Sequence, residues 1–394
     1  MTIAFPFIDV TIDTKGLQPV AQRAPGVLAI VGASDKGTAA ANVPTVIGSV
    51  SEAAAAFAEV DANGAVTGST DIYVGLRAAL LQSPRPTKIY GVKVEGTDYA
   101  TALAALGAAD DVTFVAVAGK PAQKPAGNQT AASKNPAIKA LKDHVESSAA
   151  DGLKRIGVFA IDPTLAKSPT YAADALACVD GLKSTVSRLV CVAARGADDS
   201  GTTPDVACAA ASAIAGLPVA ASVVLKSVKG FTLPLAQQFS PTEIKALSNG
   251  QIIPIIDPAL IPGESLHFAE GCCFTTDSTL NYIDVVRLLD DTEFRLKAGL
   301  IGMIGDARIT KSGLLGVVNR AQGILDRLIG PGGIDGYSVM IPVLEILRVP
   351  EDARSPGETQ AVAQARADRT VEMLISLTLG PVVHLLNIIL KPRF

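Results

Sequence analysis

Between residues 97 and 258 the chain repeats one alternation five times, and nothing else in it restricts the fold so tightly. A helix-like stretch leads each time to a short apolar run: 99–109 to 112–118, 136–148 to 155–161, 171–183 to 188–193, 204–215 to 218–225, and 241–248 to 251–256. Runs of Val, Ile and Ala with almost no polar alternation are buried on both sides. Their spacing by helices therefore predicts a mostly parallel sheet, covered on both faces and joined by right-handed crossovers. Trp is absent and aromatic residues make up only 4% of a chain that is 48% hydrophobic, so the core must be built from Ala, Val, Leu and Ile.

Before this region, 26–31 and 87–94 read as strands, and 51–58 and 71–82 as helices, the first of them capped by Ser51. Within it, 119–133 is a long polar loop expected to be exposed. After residue 261 the character changes. A strand-rich segment at 265–276 precedes two long amphipathic helices, 280–300 and 311–329, the second stopped by Gly-Pro-Gly-Gly at 330–333. Residues 337–347 read as a strand that Pro342 confines to an edge or bulge, 355–369 as a polar helix or linker and 370–379 as a strand.

Both ends are strand-like. Ile8, Val10 and Ile12 alternate with polar residues, and a Gly/Pro-containing spacer, 14–25, follows them. The last stretch, PVVHLLNIILKPRF, is far shorter than the roughly 20 apolar residues that cross a bilayer. It reads as a strand whose backbone groups need a partner edge, and nothing forces that edge to lie in the same chain. The expected fold class is α/β: a core α+β domain (25–96 and 263–379), an inserted mostly parallel α/β domain (97–262), an N-terminal arm and linker (1–24) and a C-terminal arm (380–394).

The catalytic patterns fail one by one. In GASDKGT, residues 32–38, the Lys precedes the second Gly and no Ser or Thr follows a Gly-Lys pair, so the phosphate loop is incomplete. No GxGxxG follows a strand and no GxSxG occurs. The three histidines, His144, His267 and His384, have no ligand-spaced partners, and His144 is expected to be solvated. Asp290 and Asp291 are adjacent on a helix, so their side chains diverge. We expect no enzyme, no cofactor and no metal. A net charge of −4 without a Lys/Arg cluster gives no footprint for nucleic acid or an anionic membrane. The start of the chain lacks the basic and apolar regions of a secretory signal, so the cytoplasm is the expected site of assembly. Five cysteines at irregular spacing form no disulfide framework and read as small buried apolar residues; adjacent Cys272 and Cys273 are kept as candidates for a bond between subunits.

A detached first strand, an α/β piece opening with PGVLAIVGASDKG, a large α/β insertion, the helices LNYIDVVRLLDDTEFRLKAGLIG and ITKSGLLGVVNRAQGILDRLIG, and a terminal strand pair together resemble the contractile tail sheath proteins of bacteriophages and pyocin-type particles. That resemblance implies a structural subunit of the virion tail, stacked as hexameric rings in a helical homo-oligomer around a tail tube protein, with baseplate and terminator proteins at its ends. It implies that the arms add strands to neighbouring subunits, through Ile3, Phe5, Ile8, Val10 and Ile12 at one end and His384, Leu386, Ile388, Ile389 and Leu390 at the other. The family's tube-contacting helix matches 311–329, whose cations are Lys311, Arg320 and Arg327; spaced nine and seven residues apart, they do not share one narrow face. The alternative is an α/β enzyme or small-molecule binder using a crevice at the strand ends of the middle domain.

Overall fold

The computed structural model describes residues 26–258, 261, 265–330, 333–380, 382 and 384. In chain order the elements are β1 (Val27–Ala33), β2 (Thr45–Val46), α1 (Val50–Phe57), β3 (Glu59–Val60), β4 (Val66–Gly68), α2 (Asp71–Leu80), β5 (Lys88–Val94) and α3 (Tyr99–Ala104). There follow β6 (Phe114–Val117), α4 (Ala131–Lys134), α5 (Pro136–Ala150), β7 (Ile156–Ala160), α6 (Tyr171–Cys178), β8 (Leu189–Ala193), α7 (Val206–Gly216), β9 (Ser227–Val228), α8 (Pro241–Asn249), β10 (Ile252–Ile256) and β11 (Leu266–Phe268). The chain continues as α9 (Ile283–Leu300), α10 (Lys311–Leu325), β12 (Ile334–Met340), α11 (Pro342–Arg348), α12 (Pro356–Asp368) and β13 (Leu374–Leu379). These divide into two units. The larger holds the described residues up to Asp291, with Gly333, Leu379, Gly380, Val382 and His384; the smaller holds Thr292–Gly330 and Ile334–Thr378.

The larger unit is built on a nine-stranded sheet of order β2-β5-β1-β6-β7-β8-β10-β11-β9. From β5 to β10 neighbouring strands are parallel, with Val27 opposite Lys88 and Leu28 opposite Phe114 on the two sides of β1. β2, β11 and β9 close the edges antiparallel. Successive side chains in a strand point to opposite faces, and here each face has its own core. Leu28, Ile30, Phe114, Ala116, Val158, Val190, Val192 and Ile253 enter one, with α1, α2 and α7. Val27, Ala29, Val31, Val115, Val117, Phe159, Leu189, Cys191 and Ile252 enter the other, with residues of α3, α5, α6 and α8. This is why the strands carry no polar alternation.

Small residues set the spacing of the layers. All residues of α7 from Val206 to Ala215 are buried, as a helix that is apolar all round must be. A Cβ added at Gly75 of α2 would lie 2.8 Å from Cys208 Sγ of α7, so the two helices meet as closely as these residues permit. The helix starts are legible in the chain: Thr70, Asp98, Asp205, Ser240, Thr310 and Ser355 each accept a backbone N–H of the first turn.

Several expectations are corrected. The expected boundary at 97 runs through one continuous sheet, because β1 lies between β5, from before it, and β6, from after it. The cap of α1 is Ser49 and not Ser51. Residues 218–225 form turns and no strand: Ala221 N–H bonds to the Pro218 carbonyl, Leu225 has φ +56°, and the Leu217 and Pro218 carbonyls accept from the buried Arg287 instead of a neighbouring strand. The strand expected over 337–347 stops at Met340, and Pro342 opens α11, where its missing N–H costs nothing. The loop at 119–133 is pinned at Ala122, which is buried and bridges to Ile161. His144 is partly buried with its Nε2 3.1 Å from Arg155.

Candidate functional site

The smaller unit has a modest core. Leu314 and Val318 lie one turn apart on α10 and pack with Ile341, Leu344 and Leu347 around α11 and with Val362 of α12. Val339 of β12 is partly buried against this cluster. Tyr337 of β12 donates its hydroxyl to Asp326, which caps α10, and this bond pushes the phenol up to about 12.

β12 and β13 form a sheet of their own with two strands. The Gly380 N–H donates to the Gly333 carbonyl at 3.0 Å, so the end of β13 lies beside the start of β12. Along β13 the residues alternate between exposed and half-buried, Leu374 exposed and Ile375 half-buried, and none is fully buried. In β12 only Ile334 is. A ribbon of two strands is marginal by itself in water. Each strand has one edge taken by its partner; Ile334, at the start of β12, also bridges Ile329, and among the described residues no other strand joins the rest of the opposite edge. Open edges of this kind offer rows of N–H and C=O groups to a further strand.

The structure separates the three cations. Lys311 is exposed in the first turn of α10, Arg327 is exposed in the 3-10 turn that follows the helix, and Arg320 is half-buried. Arg320 Nε donates to the Gly299 carbonyl at 3.3 Å near the end of α9. At about 100° per residue, Lys311 and Arg320 stand on opposite sides of the helix, whereas Arg320 and Arg327 differ by about 20°.

Of the arm residues, His384 is described. Its Nε2 is 2.9 Å from Ser222 Oγ, and its ring meets that of Tyr282 edge-on at 4.9 Å. Within this chain His384 thus meets residues of the larger unit. Ile3, Phe5, Ile8, Val10, Ile12, Leu386, Ile388, Ile389 and Leu390 lie outside the described residues. Cys272 and Cys273 are 8% and 0% exposed and carry free thiols. Burial pushes the Cys272 thiol up to about 12, with the nearby Glu270 adding to the shift, and pushes Cys273 up as well. Both are packed as small apolar side chains, without the surface that a bond to another subunit needs.

No family model matches the chain, and no curated protein matches it. Solved structures do. The sheath complex of an extracellular contractile injection system (PVC) in its contracted state matches 100% of this chain and 99% of its own at 14% identity and a TM-score of 0.67. The helical sheath of the anti-feeding prophage in its contracted state matches over the same shares at 17% identity and a TM-score of 0.62. A sheath tail protein from Listeria innocua matches 82% of this chain and 90% of its own, at 11% identity and a TM-score of 0.55. The chain has the fold of the contractile sheath proteins. All three similar structures are sheaths by description, and none is described as an enzyme.

The sheath fold also contains the crevice that an α/β ligand binder would use. A cavity of about 320 Å³ opens where β6 and β7 end, beside Asp71, Gly119, Lys120, Pro163 and Asp205. Its two carboxylates are already paired within the chain. Asp71 holds Lys120 at 3.1 Å, while Asp205 accepts from the backbone N–H of Gly119 and of Cys208, each at 2.8 Å. Among the described residues no three His, Cys, Asp or Glu side chains cluster as metal ligands, and no helix is long and apolar enough to cross a membrane. Sequence reasoning missed Ser222, Tyr282 and Tyr337. All three act through contacts distant in the chain; for Tyr337 the available signal was Pro342, whose place at the start of a helix ends β12 early.

Proposed function

We propose that this chain is the structural subunit of a contractile tail sheath. It polymerises helically around an inner tube, is bounded by baseplate and terminator proteins, and contracts to drive the tube through a target envelope. The observation that carries this reading is the two-stranded sheet of β12 and β13, whose outer edges no further strand joins among the described residues. The apolar ends of the chain, 2–13 and 385–394, supply strands of suitable character. Twelve extended residues reach about 40 Å, enough to pass to an adjacent subunit. Head-to-tail contacts of this kind are heterologous, and when they do not close they produce a helical assembly. Contraction requires two packings of one subunit, the extended one held by a barrier. Assembly takes place in the cytoplasm of the bacterial host, and the finished sheath is part of the tail.

Electron microscopy of the purified chain tests this reading directly. The full chain is expected to form long tubes of uniform width, and versions lacking 2–13 or 385–394 are expected to stay dispersed. Normal tubes from the doubly trimmed chain would dismiss strand exchange.

A further inference from the structure

The described part of the C-terminal segment is held at two points on its own protomer. Gly380 donates its N–H to the Gly333 carbonyl at 3.0 Å, and four residues later His384 meets Ser222 and Tyr282. Ser222 is 7% exposed, and its hydroxyl oxygen also accepts the Val224 N–H at 3.2 Å, so the group is fixed in direction before His384 reaches it. Tyr282 is 42% exposed, and its backbone is itself fixed by a bridge to Cys272. The imidazole therefore meets a hydroxyl at one ring atom and an aromatic ring across its width. A buried hydroxyl left without its partner is costly, which gives the contact a preferred geometry.

We propose that Ser222 and Tyr282 form a dock for His384 that keeps the root of the C-terminal segment on its own protomer, so that only residues 385–394 are available for exchange. This inference rests on the strand-exchange reading above and sharpens it. The dock assigns Ser222 and Tyr282 a positioning role. Ten residues remain beyond His384, with a reach of about 33 Å when extended. Without the dock His384 would lose its fixed place, and ordering it again at each subunit addition would oppose assembly.

The test uses the full chain in three forms, unaltered, Ser222→Ala and Tyr282→Leu, the last keeping the backbone and changing an exposed side chain. A chain lacking 385–394 serves as the assembly control. Below the polymerisation concentration, amide hydrogen exchange in 380–384 is expected to rise about tenfold in either variant. The concentration needed for polymers to pellet is expected to rise by a similar factor. Exchange and pelleting unchanged in both variants would overturn the dock, even if the trimmed chain fails to assemble. Normal polymers from the trimmed chain would overturn the exchange reading instead, and amide exchange then decides whether the dock exists.

Discussion

Arg188, at the entry to β8, grips the carboxylate of Asp290 on α9 with both terminal nitrogens, one of them at 2.7 Å from Oδ1. The two side chains are only 10% and 12% exposed. Removing one partner leaves a nearly buried charge, which typically costs about 3–5 kcal/mol, whereas an apolar pair of similar volume is often neutral. Asp290→Asn and Arg188→Met should each destabilise the chain by roughly 3 kcal/mol, and Arg188→Met with Asp290→Leu should cost far less than the sum of its parts. Urea unfolding below the polymerisation concentration measures all three. Additive losses would show that the pair contributes nothing as a pair.

Gly119 sits at the end of β6 with φ +67°, and a Cβ placed there would lie 2.3 Å from Cγ of Asp71. The left-handed backbone disfavours a side chain and the clash excludes even a methyl group, because the Asp71 side chain is held by Lys120. Gly119→Ala is expected to cost about 2–4 kcal/mol. Gly64 has a comparable φ, +81°, but open space around it. Gly64→Ala should therefore show the backbone cost alone, about 1 kcal/mol. Equal losses at the two sites would mean that close packing at the crevice is unimportant.

His144 is held down to about 4, first by burial and then by the positive charge of Arg155. The folded protein therefore favours the neutral ring, while the unfolded chain takes up its proton near the ordinary value of about 6.5. The sign follows: this site costs nothing above about pH 6.5, and stability falls as pH drops from there towards 4, by at most about 3 kcal/mol. His144→Gln should flatten that part of the profile of stability against pH. An unchanged acid slope in the variant would remove His144 as its source.

The layered sheet was legible because burial on both faces leaves a direct mark: β1, β7 and β8 have no polar alternation to misread. The run at 218–225 was misread for the same reason. Its Val223 is as buried as a strand residue, yet the carbonyls of Leu217 and Pro218, where the run begins, are satisfied by Arg287, some seventy positions away. Local pattern reports burial and says little about which partner satisfies the backbone. The open sheet was half legible. Residues 370–379 read as a strand from their composition, while the end of β12 depended on Pro342, which serves a bulge or a helix start equally well. The placement of His384 left no trace in sequence, because Ser222 and Tyr282 are identified only by the fold.

Two of the three cations on and after α10 are free to meet another protein and one is not. Arg320 is tied to the Gly299 carbonyl, so Arg320→Glu should disturb the α9–α10 hairpin and lower stability by about 1–2 kcal/mol before any assembly is measured. Lys311 and Arg327 are exposed. α10 carries no acidic residue from Lys311 to Leu325, so its surface charge is wholly positive. On the proposed reading this helix faces the tube. Lys311→Glu combined with Arg327→Glu should then leave unfolding unchanged within about 0.5 kcal/mol while weakening co-assembly with purified tube about tenfold or more, most strongly at low salt. Co-sedimentation across a salt series measures this. If the doubly reversed chain coats tube as fully as the unaltered one, Lys311 and Arg327 are solvated charges and the tube is held elsewhere.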